Sequence, residues 1–274
     1  MYTPAFLLLL AAGGCLAGLL AGLLGIGGGV LLVPLFLFIF PAYGMPPETV
    51  VHAALGTSLA IIIPTAFSST LGHRRHGNVD WHQVGFLSIG GMLGATLGAA
   101  VAALLTGNTL KALFGLMQIA VAFRLLKRGT APPHDQACYI TAWSLIAVGF
   151  ASGAFSAFFG VGGGVVAVPL MLFILKLPIH RAIGNSSALI VLSASAGALS
   201  YVWHGWETSG LPPGALGYVL LPVALIVAPF SILFARFGVR LATAFSRDKL
   251  VKIFALLLIF VGIRILYPVI NQLF

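Results

Sequence analysis

Two glycine clusters carry the spacing most suggestive of chemistry in this sequence. Each precedes a short apolar segment: Gly27, Gly28 and Gly29 in one, and Gly162, Gly163 and Gly164 in the other. Glycine lets a ligand approach the bare backbone, and successive N–H groups at the positive end of a helix dipole form a nest for anions. We therefore interpret both clusters as anion-binding backbone. The alternative is that they only permit close helix packing, which we expect for Gly90, Gly91, Gly94 and Gly98.

Polar side chains in the segments after the clusters supply further candidate donors to an anion. They are Thr57, Ser58, Asn185 and Ser186. The alternative is that these groups bond to backbone carbonyls of their own helices, as Ser and Thr often do. His52 is the candidate for proton coupling, because imidazole changes its charge near neutral pH. An interfacial role is the alternative for this histidine.

The composition is that of an integral membrane protein. Of 274 residues, 60% are apolar and 7% are Asp, Glu, Lys or Arg, whereas soluble domains carry about 25% charged residues. Soluble enzymes, disordered scaffolds and free DNA-binding domains are therefore excluded. The apolar residues form long blocks, which predicts transmembrane helices and not the alternating strands of a β-barrel.

No enzyme chemistry is expected from these residues. Cys15 and Cys138 lack the spacing of a metal site, and the apolar segments contain no nucleophile–base motif, metal triad or carboxylate pair. We predict neither a cofactor nor a metal. The net charge of +9 is typical of basic cytoplasmic loops and does not require a nucleic-acid partner.

The chain contains an internal repeat. GIGGGVLLVPL at 25–35 matches GVGGGVVAVPL at 160–170, and ALGTS at 54–58 matches AIGNS at 182–186. Near the two ends, 110–126 aligns with 250–266, and this register pairs Arg124 with Arg264. Ordered matches of this kind indicate a tandem duplication. We predict a first transmembrane repeat over 1–128, a cytoplasmic linker over 129–136 and a second repeat over 137–274.

Each repeat divides into five apolar segments, so that the sequence predicts an all-α protein of ten helical segments. The segments are 4–24, 30–41, 49–72, 82–105, 109–126, 137–159, 165–176, 180–203, 214–237 and 249–267. Eight are long enough to span a membrane. The 12 residues of 30–41 or of 165–176 reach only about 18 Å, short of a hydrocarbon core of about 30 Å. These two are expected to be half-helices or re-entrant elements.

The basic residues assign the orientation. Twelve of the 14 fall on one side if the loop at 73–76 is cytoplasmic: Arg74, Arg75, Arg124, Lys127, Arg128, Lys176, Arg181, Arg236, Arg240, Arg247, Lys249 and Lys252. The positive-inside rule therefore favours this orientation. Both termini are then periplasmic and the two repeats are inverted. Inverted repeats with paired, glycine-interrupted short segments are typical of secondary transporters.

The motifs identify a family resemblance. G-x-GGG-x-x-x-VP in both halves, G-T-S at 56–58 and H-R-R-x-G-N-V-D-W at 73–81 resemble the TauE/SafE sulfite exporters, also known as the 4-toluene sulfonate uptake permeases. The resemblance covers essentially the whole chain. It implies a carrier in the bacterial inner membrane for sulfite, sulfonates or related sulfur oxyanions. The second half departs from the motif at Asn185, where the first half has Thr57, and at 201–204.

The inverted repeats therefore predict a secondary transporter that works by alternating access, and the resemblance implies export of a small sulfur oxyanion, with sulfite as the first candidate. One alternative is uptake of an organosulfonate or another organosulfur compound, and a second is an anion channel. The expected partners are this small anion and the lipid bilayer.

Overall fold

The computed structural model describes residues 4–24, 27–42, 44–126, 140–241, 255–256 and 258–267. Its long elements are ten helices: α1 Pro4–Leu24, α2 Gly29–Ala42, α3 Pro47–Arg75, α4 Trp81–Ala103, α5 Gly107–Leu126, α6 Ala142–Phe159, α7 Gly164–Phe173, α8 Ile179–His204, α9 Leu221–Leu241 and α10 Leu258–Tyr267. Two short strands, β1 Ala215–Leu216 and β2 Val219–Leu220, pair antiparallel just before α9. The predicted linker, Gly25, Cys138 and the chain ends lie outside the described residues.

Six helices within the described ranges are long and apolar enough to cross a membrane, namely α1, α3, α4, α6, α8 and α9. This agrees with the prediction of an all-α membrane protein. The six include neither α5 nor α10, and α10 is described over only 258–267. The eight spans expected from the sequence are therefore not confirmed.

The two short helices each begin directly after a pair of left-handed glycines. The φ angles are +83° at Gly27, +78° at Gly28, +84° at Gly162 and +73° at Gly163. Consecutive residues with positive φ end a right-handed helix, and glycine adopts them at low cost. The 14 residues of α2 and the 10 of α7 extend about 21 Å and 15 Å. Both are shorter than a membrane core, as expected.

Glycine stripes pack α1 against α9 and α4 against α6. A Cβ atom added at Gly18 of α1 would collide with the Ser231 carbonyl of α9, and one at Gly94 of α4 would collide with the Phe150 carbonyl of α6. Small residues spaced four apart allow such backbone contact in membranes. In both pairs, contacts advance in the same direction along the two helices, because Gly98 meets Ala154 one turn after Gly94 meets Phe150.

The centre of the bundle is the antiparallel pair α3 and α8. Leu59 lies against Gly197, and the hydroxyls of Ser69 and Ser187 are 3.2 Å apart. Residue numbers rise along one helix as they fall along the other. α9 packs on α3 as α4 packs on α8, and α2 packs on α3 as α7 packs on α8. Equivalent helices of the two halves therefore make equivalent contacts.

Leucine at Gly94 or Gly18 is expected to separate a parallel helix pair. Overpacking of this kind costs about 3 kcal/mol, and here the obstacle is backbone, which cannot move aside. We expect a clear loss of the folded fraction and a lower melting temperature in detergent. Gly85→Leu is the matched control on α4, since a Cβ atom there meets nothing within 4 Å. Equal melting temperatures for the Gly94 and Gly85 variants would contradict the assignment.

Candidate functional site

The structure brings the two predicted glycine clusters together. A Cβ atom added at either Gly27 or Gly162 would lie 3.3 Å from the Cα atom of the other. The side chain of Ile62 lies against both glycines, and its repeat equivalent Ile190 lies against Gly162. The helices α2 and α7, which belong to different repeats, therefore start from one buried point.

Backbone dipoles dominate the electrostatics of this point. The first-turn N–H groups of a helix have no partner within the helix, and each N-terminus carries a partial positive charge of about half a unit. Within the described ranges, no Lys, Arg, Asp or Glu side chain is buried. Any charge bound between α2 and α7 would thus be compensated by amides and dipoles. The two N-termini favour an anion at their amides.

Thr57 and Asn185 hold equivalent helix starts in place. The Leu220 backbone N–H donates to Thr57 Oγ1 over 2.9 Å, and the Asp80 N–H donates to Asn185 Oδ1 over 2.8 Å. Leu220 immediately precedes α9, and Asp80 is the N-cap of α4. The sequence analysis predicted either donation to an anion or a bond within the residue's own helix. Neither prediction includes this role, because each side chain binds the backbone of a distant helix. The two residues tie α3 to α9 and α8 to α4.

Ser58 and Ser186 are fully buried one residue further along α3 and α8. Ser58 Oγ donates to the Gly160 carbonyl over 2.8 Å. Gly160, at φ +65°, is the C-cap of α6. Ser58 therefore fixes the break that separates α6 from α7. Its hydroxyl proton is engaged by the Gly160 carbonyl of another helix.

His52 lies on α3 away from the glycine contact. Ten residues separate it from Ile62, which corresponds to about 15 Å along the helix. The imidazole is buried, stacks on Tyr218 with centroids 5.1 Å apart, and places Nε2 3.2 Å from the Ala102 carbonyl. Because a carbonyl only accepts, Nε2 carries the proton. Nδ1 is buried without a hydrogen-bond partner.

Two polar residues beside the half-helices were missed by the sequence reasoning. Gln118 of α5 donates from Nε2 to the Val30 carbonyl in the first turn of α2, over 2.9 Å. Ser156 of α6 lies next to the start of α7, where its Cβ would be 3.0 Å from a Cβ atom on Gly163. Both side chains are fully buried, and Gln118 Oε1 and Ser156 Oγ have no partner. Comparison of the two repeats could have identified both residues, because the residues equivalent to Gln118 and Ser156 in the other repeat are apolar.

Arg124 and Arg264 each contact the half-helix of the other repeat. The Arg124 guanidinium lies 5.8 Å from the ring centre of Phe173, at the end of α7. Arg264 lies at the same distance from Phe38 on α2. Such cation–π contacts are attractive. The two arginines thus contact the C-terminal part of each half-helix, at the end opposite to the glycine contact.

Known proteins resemble this chain over nearly its full length. The family model described as "Sulfite exporter TauE/SafE" matches residues 10–265. A "Probable membrane transporter protein" of Haemophilus influenzae is 31% identical over 94% of this chain and 97% of its own length. The probable transporter YunE of Bacillus subtilis is 27% identical over 93% and 95%. A relative in Methanocaldococcus jannaschii, also described as a probable membrane transporter, is 32% identical over 86% of each chain.

No solved structure matches the chain. The family match and the relatives' descriptions agree with the apolar helices in indicating a membrane transporter. Together with the paired glycine breaks, they assign the chain: it belongs to the TauE/SafE sulfite exporter family.

Proposed function

We propose that this protein is a secondary carrier that exports sulfite, or a closely related small sulfur oxyanion, by alternating access. The observation that carries the proposal is the meeting of two half-helix N-termini at the Gly27–Gly162 contact. Two dipoles and two sets of first-turn amides then act on one ligand. The absence of buried carboxylates within the described ranges removes a source of repulsion for an anion.

The proposed binding groups are the backbone amides of both clusters, Gly27, Gly28 and Gly29 with Gly162, Gly163 and Gly164. Thr57 and Asn185 are assigned a supporting role, since they hold the starts of α9 and α4. Ser58 is assigned a position beside the break before α7, and its repeat equivalent Ser186 is fully buried on α8. In this proposal the side chains set the geometry and the amides bind.

The tightness of the glycine contact favours a carrier over a channel. A Cβ atom on either Gly27 or Gly162 would lie only 3.3 Å from the Cα atom of the other, so in this proposal a ligand must separate α2 from α7 in order to bind between them. Such separation and closure is the expected cycle of alternating access. A short ligand fits this contact better than a bulky organosulfonate, and for that reason sulfite is preferred over the uptake alternative.

We further propose that the repeats, 1–128 and 137–274, are inverted in a plasma membrane of bacterial type, with both termini periplasmic. The equivalent helices α3 and α8 run antiparallel. So do α5 and α10, since Gly115 lies against Leu266 and Gly262 lies against Ile119. Antiparallel equivalents support a two-fold axis in the membrane plane.

Counterflow in proteoliposomes tests the transport proposal. Vesicles containing the full chain are preloaded with unlabelled sulfite and diluted into labelled sulfite. We expect a transient overshoot of label that excess external sulfite abolishes. Protein-free vesicles and the misfolding-prone Gly94→Leu variant serve as controls. Conductive flux without overshoot would contradict the carrier and support a channel, and flux of larger organosulfonates alone would contradict sulfite as the substrate.

Single cysteines at His76 and His204 test the inversion. The two histidines are repeat equivalents and both are exposed, so inversion places them on opposite sides of the membrane. In a background without Cys15 and Cys138, an impermeant maleimide should label His204→Cys in intact cells. His76→Cys should react only after permeabilisation. Labelling of both from one side would overturn the inverted topology.

We propose that His52 couples transport to proton movement, and His52→Gln tests this role. Glutamine keeps a donor for the Ala102 carbonyl but cannot carry a proton through the cycle. We expect sulfite movement driven by a pH gradient to fall at least about tenfold, while sulfite–sulfite exchange continues because it needs no net proton transfer. His180→Gln, at the exposed repeat equivalent, is the control. Gradient-driven transport at the wild-type rate in His52→Gln would refute the role.

A further inference from the structure

Two buried polar atoms beside the half-helices lack any hydrogen-bond partner. They are Gln118 Oε1 and Ser156 Oγ, on side chains with no exposed surface. A buried polar atom without a partner is costly, and native proteins rarely keep one without reason. The other amide atom of Gln118 is bonded to Val30 at the start of α2, and Ser156 adjoins Gly163 at the start of α7. One unpartnered atom therefore lies at each half-helix.

The repeat shows that the fold does not require either group. The register that pairs Arg124 with Arg264 places Leu258 opposite Gln118, and the register of the glycine clusters places Ala21 opposite Ser156. Leu258 and Ala21 are as deeply buried as their counterparts. The equivalent buried positions in the other half are thus filled by apolar side chains. Gln118 and Ser156 therefore differ from their repeat equivalents in polarity and not in burial.

The charge available to a ligand at this point is limited. No cationic side chain is buried within the described ranges, and a doubly charged ion without a cation is far more expensive to bury than a singly charged one. Gln118 Oε1 is an acceptor only, so its missing partner must be a hydrogen-bond donor. Serine can donate to a ligand oxygen.

We propose that Gln118 and Ser156 contact the transported ligand, and that this ligand is a singly charged oxyanion bearing one O–H group, such as hydrogen sulfite. The ligand O–H donates to Gln118 Oε1. The Ser156 hydroxyl donates to a ligand oxygen, and the remaining oxygens accept from first-turn amides of α2 and α7. This inference rests on the proposed transport function and specifies the protonation state of its substrate.

Counterflow with two variants tests the contacts. Gln118→Leu and Ser156→Ala install the residue types of the other repeat, and each should raise the half-saturating concentration of hydrogen sulfite about tenfold, as expected for loss of a buried hydrogen bond to an ion. Ser152→Ala is the matched control, because the Ser152 hydroxyl is already bonded to the Val148 carbonyl over 2.6 Å. Melting temperatures establish folding, and Gln118→Met replaces the leucine variant if that one unfolds.

Competition by methanesulfonate separates the two residues. This ion carries one charge but no O–H group, so Gln118 cannot accept from it. Gln118→Leu should leave inhibition by methanesulfonate unchanged or make it stronger. Ser156→Ala should weaken the binding of both hydrogen sulfite and methanesulfonate. Sulfate, with two charges, should compete poorly in every protein. If both variants keep the wild-type half-saturating concentration of hydrogen sulfite, the assigned contacts are wrong. If sulfate competes as well as methanesulfonate, the inference that the ligand carries a single charge is wrong.

The pH dependence gives an independent measurement. Above the pKa at which hydrogen sulfite loses its proton to give sulfite, each pH unit lowers the hydrogen sulfite fraction, so the half-saturating concentration of total sulfite should rise about tenfold per unit. Methanesulfonate keeps its charge in this range and corrects for titration of the protein. A half-saturating concentration that falls with pH would overturn the inference while leaving transport intact. Wild-type protein without any sulfite counterflow would instead overturn the proposed function, and the inference with it.

Discussion

The close approach of two backbones at Gly27 and Gly162 is the constraint on which the rest of the structure depends. Left-handed φ angles at four glycines turn the chain sharply before α2 and α7, and a side chain on Gly28 or Gly163 would meet a carbonyl oxygen of the preceding helix at 2.5 or 2.6 Å. Larger residues would both strain the turns and separate the clusters. Only with glycine at these positions do the amide-rich ends of α2 and α7 converge on one point.

The surrounding helices hold that point through contacts that recur in both halves. Thr57 on α3 accepts a hydrogen bond from the backbone N–H just before α9. Asn185 on α8 accepts one from the backbone N–H just before α4. Those helices in turn lie in backbone contact with α1 and α6 through glycine stripes. The glycine contact thus sits between two equivalent assemblies, α1–α3–α9 and α4–α6–α8. Any separation of α2 from α7 would therefore act on both assemblies alike.

Local pattern was sufficient to predict an all-α membrane protein with two short helices, and insufficient to predict the partners of polar groups. The glycine clusters, the short half-helices and the duplication are visible because they depend on neighbouring residues or on self-similarity. The bond between Thr57 and Leu220 joins residues 163 apart in sequence, so its existence follows from tertiary packing alone. Gln118 was overlooked for the same reason. The role of a single glutamine in an apolar segment becomes evident only from its hydrogen bond to Val30.

The geometry also decides which substitutions can report on binding. Replacing Gly28 or Gly163 would strain a left-handed residue and push a side chain into the Ala17 or Ser152 carbonyl, so lost transport would follow from distorted packing even if no amide bound the ligand. Backbone donors cannot be removed by side-chain substitution. Side chains that one repeat has and the other lacks avoid this difficulty, because the other repeat already demonstrates that the fold accepts their replacement. Asymmetry within a symmetric fold therefore separates the requirements of the ligand from those of the architecture.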